Sequence, residues 1–299
     1  MSSLPSWKRV ENPPSMQLTD RDKQIILAVY RYRFLNAHQI EALLFPPDEA
    51  KGRSRKQACQ RRLQRLFHNG FLARMPLPIV LGAGRAPYVY ALDERGADIV
   101  AVELGVDRPS VAWKPTDNHV KPLFLDHAQA VNTVRVVVER LSACGQVSLG
   151  RWIDDSALHA KEMQEKLPHR MHGARITRII PDAYFALEIS PDRPAAHFFL
   201  EVDQGTMNNS RWKEKILAYL HFRQSGRSEK HFQTRNFRML TVTTSIRRLE
   251  NLKQTTEKSQ GDQHFWFTTE DQISLWYPAS FLTLEWHVAG HQKQRTLFG

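Results

Sequence analysis

Between Ile176 and Tyr219 the chain reads as two strands joined by a turn at Ser190–Pro194 and followed by a helix. The first strand opens on Pro181 and Asp182. The second ends on Glu201, Val202 and Asp203, and the helix carries Lys213 and Lys215. Antiparallel pairing about a turn near Asp192 sets position 182 roughly opposite position 204. Asp182 and Asp203 are then expected as neighbours, with Glu201 two residues along on the same side. Carboxylates gathered in this way repel one another and need a cation. Hard oxygen ligands suit Mg²⁺ or Mn²⁺, and a site of that kind can cut a phosphodiester bond.

The chain has 299 residues, of which 41% are hydrophobic. That is enough for a sizeable core and suggests two domains. No apolar run approaches the ~20 residues of a membrane helix. The stretch from Met1 to Val10 lacks the apolar segment of a secretory signal, so a cytoplasmic location without a membrane partner is expected. Cys59 and Cys144 are the only cysteines, which implies neither a disulfide framework nor a structural zinc site. The formal net charge is +11, and its distribution is uneven. From Lys51 to Leu92 stand Lys51, Arg53, Arg55, Lys56, Arg61, Arg62, Arg65, Arg74 and Arg85, with no Asp or Glu. A basic run of this density favours a polyanion such as nucleic acid over a merely solvated surface.

Residues 1–17 contain Pro5, Pro13 and Pro14 without periodicity and are expected to form a flexible tail. Thr19 reads as a helix cap, with Asp20 and Asp22 in the first turn and Ile25, Ile26, Val29 and Tyr32 on the apolar face. A second helix is expected over about 37–44, ended by Pro46 and Pro47. A third, capped by Ser54, buries Cys59, Leu63, Leu66 and Phe67 and stops at Asn69–Gly70. A hairpin follows, with a Gly- and Pro-rich tip at 81–87. Three helices and a hairpin in this order describe a winged helix-turn-helix over 18–106, whose third helix enters the major groove. The expected DNA-contacting residues are Arg53, Arg55, Lys56, Gln60, Arg61, Arg62 and Arg65, with Arg85 near the wing tip. Pro109, Pro115 and Pro122 mark 107–122 as a linker. Residues 123–290 form the second domain and 291–299 a basic tail.

In that second domain a long helix over about 123–143 precedes a strand at 147–153, a polar loop or ribbon at 154–175, and the two strands described above. The helix at 210–224, a strand at 237–243, a helix at 246–257 and short strands at 265–268 and 281–286 complete it. The resulting α+β / α/β order, αβββαβ, is that of a restriction-endonuclease-like domain of the PD-(D/E)xK type. Asp182, Glu201 and Asp203 are the candidate metal ligands and catalytic carboxylates. That pattern places a lysine where Asp203 stands. Either Lys213 or Lys215 supplies the missing charge, or Asp203 serves as a third ligand and the metal works without a lysine. A degenerate domain that does not cut is the rival. His169 and His172 have metal-like spacing but no third ligand and read as a solvated loop. Tyr219 reads as core, and His127 either faces the carboxylates or satisfies a buried backbone group.

Several of these residues together resemble the replication-relaxation family of plasmid and integrative-element proteins. The resemblance rests on Phe34–Ile40 and Leu43–Phe45, on His127, Val131 and Asn132, on Pro181 and Asp182, and on Leu200–Thr206 with Lys215 and Tyr219. It implies a protein that handles origin DNA, in replication or as a relaxase-like nicking enzyme in mobilisation, with Mg²⁺ or Mn²⁺ as cofactor. Double-stranded DNA is the expected partner, with a homodimer and replication or transfer proteins as further candidates. A non-enzymatic replication initiator or transcription regulator, and a defence nuclease, are the alternatives.

Overall fold

The computed structural model describes residues 8–45, 55–75, 88–160, 163, 167, 169–172, 175–190 and 192–298, with the backbone alone at 169–172 and 175–178. Arg53, Ser54, Arg85 and the tip of the expected wing lie outside the described residues. The chain divides into two compact units, residues 1–136 and 137–299.

The first unit begins with a helix α1 (Asp20–Tyr32) whose end is fixed by a reciprocal cap. The Asp22 amide donates to Thr19, and the Thr19 amide donates to Asp22 Oδ2 at 2.8 Å. Ile25, Ile26 and Val29 are fully buried along its inner face. A short strand β1 (Leu35–Asn36) leads into α2 (Ala37–Leu44), capped in the same reciprocal way by Asn36 and Gln39. Helix α3 (Arg55–His68) buries Cys59, Leu63, Leu66 and Phe67 and stops where Gly70 takes φ +76°. Strands β2 (Leu72–Met75) and β3 (Val89–Leu92) pair antiparallel, and β1 lies on the far side of β3. Helix α4 (Glu94–Leu104) follows.

The stretch 107–122, expected as a linker, belongs to this unit, with Val111 and Trp113 buried. Two short 3₁₀ turns, 108–110 and 115–118, shape it. The division falls later, inside the long helix α5 (Pro122–Ala143). Its first half is tied to the first unit by buried amides. Asn132 donates to the Phe34 carbonyl at 2.6 Å, and Gln39 donates to the Gln129 carbonyl at 2.8 Å. The expected flexible tail also has anchors from residue 9 onward. Arg9 donates to the carbonyls of Phe67 and Leu72 at 2.7 and 3.0 Å and pairs with Asp93 at 2.6 Å.

The second unit is built on a sheet with the order β11-β10-β9-β8-β7-β4. Its strands are β4 (Ser148–Asp154), β7 (Ala183–Glu188), β8 (Ala196–Asp203), β9 (Phe237–Thr243), β10 (Phe265–Thr269) and β11 (His287–Val288). β4, β7 and β8 form an antiparallel meander, whereas β8, β9 and β10 run parallel. With α5 ahead of it and α7 (Asn209–Gln224) between β8 and β9, this is the αβββαβ order expected from the sequence. The parallel strands are buried along most of their length, as strands covered on both faces are. Phe199, Trp212, Ile216, Tyr219, Phe222 and Phe237 form the centre of the core. Helix α8 (Arg227–Phe232) and helix α9 (Ile246–Lys258) close it.

The polar stretch after β4 holds a short helix α6 (Asp155–Leu158) and a two-stranded ribbon of β5 (His169–His172) and β6 (Arg175–Arg178), separate from the main sheet. The strand expected at 281–286 is instead a helical turn α10 (Ser280–Thr283), with β11 beginning later. Trp286 accounts for the difference. Its amide and carbonyl pair with those of Arg295 at 2.8 and 3.0 Å rather than joining the sheet. That pairing also holds the expected basic tail, in which Leu297 is fully buried.

Candidate functional site

Strand pairing sets the site. Tyr184 lies opposite Phe199, and the ladder ends at Ala183 opposite Leu200, so Asp182 falls beside Leu200 and Glu201 rather than opposite residue 204. The pairs centre between residues 191 and 192, at the expected turn, and a turn centred there brings position 182 near 201, whereas 204 would need a centre at 193. The Asp182 amide donates to the Leu200 carbonyl at 3.0 Å, and Asp182 Oδ2 accepts from the Val202 amide at 2.6 Å. Directly opposed residues of an antiparallel pair share a face. Glu201 shares the strand face that carries Phe199, the face covered by α7, and the Asp182 carboxylate lies near enough to act on Glu201, Lys215 and Tyr219.

Helix α7 brings the cation. Its inward positions are Trp212, Lys215, Ile216, Tyr219 and Phe222, the spacing of one helical face. Lys213 is exposed. Lys215 is only 9% exposed and its Nζ contacts Glu201 Oε2. The Tyr219 hydroxyl donates to Glu201 Oε1 at 2.9 Å. Glu201, 2% exposed, thus has a donor on each oxygen. Burial raises its carboxyl above the ordinary value against the pull of Lys215, and the neighbouring Asp182 carboxylate adds to the rise. Burial disfavours the Lys215 ammonium, but Glu201 and Asp182 outweigh it and hold the group above its ordinary value. Burial, Glu201 and Asp182 together push the Tyr219 hydroxyl well up, so it stays a neutral donor.

Asp203 is placed differently. Its side chain accepts a fork from Arg248, Nε on Oδ2 at 2.6 Å and the terminal nitrogen on Oδ1 at 3.0 Å. The Thr243 hydroxyl donates to Oδ2 at 3.1 Å and the Gly205 amide at 3.2 Å. A positive φ of 76° at Gly205 turns the chain back so that this amide can reach. The three acidic residues are thus not gathered into one group, and among the described residues no cluster of three Asp, Glu, His or Cys is placed to hold a metal ion. Asp182 and Glu201 with Lys215 and Tyr219 form one constellation. Asp203 with Arg248 and Thr243 forms another.

The candidate DNA-contacting residues of α3 divide in a similar way. Lys56, Gln60 and Arg61 are exposed. Arg62 forks onto the fully buried Asp22, with Nε on Oδ1 at 2.7 Å. Burial pushes the Asp22 carboxyl up, and hydrogen bonds from Arg62 and Thr19 more than reverse that, leaving it below the ordinary value. Arg55 pairs with Glu41 at 2.9 Å, and Arg65 donates to the Ser15 carbonyl at 3.3 Å. Arg62 and Arg55 brace α3 against α1 and α2.

A model of the Replication-relaxation family matches residues 27–235, a span that includes α3, Asp182, Glu201, Asp203, Lys215 and Tyr219. The chain belongs to the Replication-relaxation family. No curated protein matches it. Among solved structures it is similar to restriction endonuclease FokI, at a TM-score of 0.32 and 12% identity over 89% of this chain and 46% of that one. The chain spans about half of that protein's length.

Sequence reasoning did not find the Arg248 fork on Asp203 or the Tyr219 bond to Glu201. For Tyr219 a signal was present: a tyrosine one helical turn after Lys215 on the same face. The choice between Lys213 and Lys215 was also legible, because only Lys215 falls in the apolar stripe of Trp212, Ile216 and Tyr219. No local pattern marks Arg248, which lies 45 residues from its partner.

Proposed function

We propose that the chain binds DNA through its first unit and nicks it with its second. It would act at plasmid or integrative-element origin DNA, in replication or mobilisation. The observation that carries this reading is the Asp182–Glu201 pair with Lys215 against it, at one end of the βββ meander.

Two carboxylates, with phosphate oxygens and waters completing the shell, are a normal complement for Mg²⁺. Asp182 and Glu201 supply that hard-oxygen pair, and they would hold Mg²⁺ or Mn²⁺. The ion, when bound, would polarise the scissile phosphate and lower the pKa of a water. Tyr219 fixes the rotation of the Glu201 carboxylate. Lys215 holds a proton and a positive charge beside it, where a phosphate oxygen gaining charge is stabilised. On this reading Lys215 replaces the lysine missing at position 203, Lys213 has no role, and Asp203 supports the turn at 204–208 rather than binding metal. In the first unit, α1, α2, α3 and the β2–β3 pair are taken as a winged helix, with Lys56, Gln60 and Arg61 as the surface offered to duplex DNA.

One observation favours a second reading, a non-enzymatic initiator or regulator. Both oxygens of Glu201 already have buried donors, as in a structural ion pair. Supercoiled plasmid carrying the cognate origin separates the two. With Mg²⁺ or Mn²⁺ the wild-type protein is expected to convert it to the open circle, and Asp182→Asn and Glu201→Gln are expected to leave it supercoiled. Tight DNA binding with no cleavage of supercoiled, linear or single-stranded DNA would establish the second reading instead.

A further inference from the structure

The hydroxyl of Thr241 has no part in the reading above, although it lies next to the site. Thr241 stands in β9, opposite Glu201 of β8 on one side and opposite Phe267 of β10 on the other. Side chains alternate between the two faces of a strand. Phe237 and Met239, which precede Thr241 on the same face of β9, belong to the core that contains Trp212, Ile216 and Tyr219. Phe199, on the same face of β8 as Glu201, and Phe267 belong to it too. Glu201, Thr241 and Phe267 therefore form a row across the sheet, on the face covered by α7.

A single turn of α7 spans that row. Lys215 meets Glu201 at one end, and Trp212 meets Phe267 at the other, with ring centroids 6.4 Å apart. Thr241 lies between these two contacts and is fully buried. The polar groups around it have partners. The Trp212 indole donates to the Thr256 hydroxyl at 3.0 Å, and the Thr243 hydroxyl donates to the Asp203 carboxylate at 3.1 Å. Thr241 Oγ1 has no hydrogen-bond partner among the described residues. A buried hydroxyl without a partner costs free energy, and a valine would fill the same shape without that cost. Lys215 has capacity to spare as well. An ammonium can donate more than one hydrogen bond, and among the described residues Lys215 Nζ donates only to Glu201 Oε2.

We propose that Thr241 is a positioning residue, whose hydroxyl oxygen accepts from Lys215 Nζ when a divalent cation takes Oε2 of Glu201. The proposal rests on the reading of Asp182 and Glu201 as a metal-binding pair. Lys215 sits on the very oxygen that a cation needs, and it must step aside. Adjacent strands lie about 4.8 Å apart, a distance that the long lysine stem covers by rotating its outer bonds. Thr241 then keeps the ammonium hydrogen-bonded and close to the carboxylates instead of releasing it to solvent. Tyr219 holds Oε1 of Glu201 throughout.

The test uses the full chain and Mn²⁺ alone, with binding read by calorimetry and Tm read without metal. Thr241→Val is expected to raise the metal-free Tm by roughly 2–4 °C, because it removes an unpartnered hydroxyl. The same variant should bind Mn²⁺ about tenfold more weakly or worse, since a hydrogen bond to a charged group is lost from the bound state. Thr241→Ser keeps the hydroxyl and should bind Mn²⁺ like wild type. Ser228→Ala removes another fully buried hydroxyl without a partner, in α8, and should leave Mn²⁺ binding unchanged. An unchanged affinity in Thr241→Val, with binding that still needs Glu201, overturns the proposal and leaves the metal pair standing. A loss in Thr241→Ser or Ser228→Ala equal to that in Thr241→Val overturns it as well, because packing then explains the effect. Equal Mn²⁺ binding by wild type and Glu201→Gln removes the metal pair itself, and the role of Thr241 with it.

Discussion

Glu201 and Asp203 leave the same strand, on the same face, two residues apart, and both are almost fully buried. Their partners differ. Glu201 meets a lysine and a tyrosine, one donor on each oxygen. Asp203 meets the planar fork of Arg248, with a threonine and a backbone amide adding to it. A guanidinium fork matches both oxygens of a carboxylate at once and fixes the geometry. An ammonium is a point charge on a flexible stem that can turn toward another anion. On the proposed reading, the difference separates a carboxylate offered to a ligand from one used as a fastener. Helix α3 repeats it: Arg62 forks onto buried Asp22, while Lys56 and Arg61 stay exposed.

The largest expected effect falls on the Glu201 side. Lys215→Ala should lower metal-dependent nicking by about 10²–10³-fold, the usual cost of removing a group that stabilises developing charge. Lys213→Ala should leave it unchanged. Lys215→Ala also leaves Glu201 buried without its cation, at about 3–5 kcal/mol of stability. The double change Lys215→Met with Glu201→Gln should restore much of that stability without restoring nicking. Plasmid assays and urea melts read the two effects, and equal nicking by the Lys213 and Lys215 variants would remove the distinction.

Arg248→Ala comes next, with an opposite profile. It should cost about 2–3 kcal/mol through lost charged hydrogen bonds, yet nicking measured well below the melting temperature should survive. Loss of nicking as complete as in Glu201→Gln would return Asp203 to the metal site.

The two arginines of α3 should separate in the same manner. Arg62→Ala is expected to cost about 2 kcal/mol by leaving Asp22 buried and unpaired. Arg61→Ala should stay within about 0.5 kcal/mol of wild type while lowering the salt slope of DNA binding by about one. Thermal melts and binding titrations across salt decide this.

The smallest effect is a pH dependence at a half-exposed network. Asp262 pairs with Arg223 at 2.7 Å and with His264 at 2.8 Å. Burial pushes the carboxyl up, but Arg223 and His264 outweigh it and bring it from 3.8 to about 2. A carboxyl lowered by folding contributes stability above its unfolded pKa and loses it as pH falls through the folded one. Asp262→Asn should therefore flatten the stability profile between pH 3.8 and about 2, and by little, since the pair is open to solvent. An unchanged acid limb would show that the network carries no linkage.

Much of the architecture was legible because it rests on local signals. The cap at Thr19, the apolar stripe of α3, its glycine stop and the strand β9 each follow from a few adjacent residues. Asp182, Glu201 and Lys215 were legible as candidates for the same reason. Their grouping was not, because a shift of one or two residues in the centre of the turn moves the partner of Asp182 from the neighbourhood of Asp203 to that of Glu201. The division of labour among the arginines was hidden for a further reason. Whether Arg62 meets DNA or Asp22 depends on a partner 40 residues away in sequence, and basic residues look alike until the packing of α1 is known. The strand expected at 281–286 failed because Trp286 pairs outside the main sheet.

The topology of the sheet also sets an order of assembly. β7 and β8 are joined by a short connection and pair antiparallel, whereas β8 and β9 are parallel and can pair only after the long crossover through α7 has closed. Hairpins form within microseconds, while such distant pairings are slow. On refolding, amides of the β7–β8 hairpin should gain protection from exchange before those of β9. Asp182 and Glu201 thus meet early, in a hairpin, and Lys215 arrives only when the crossover docks. A chain still being synthesised would hold both carboxylates close together, yet have no cation against Glu201 until the helix that carries Lys215 had left the ribosome.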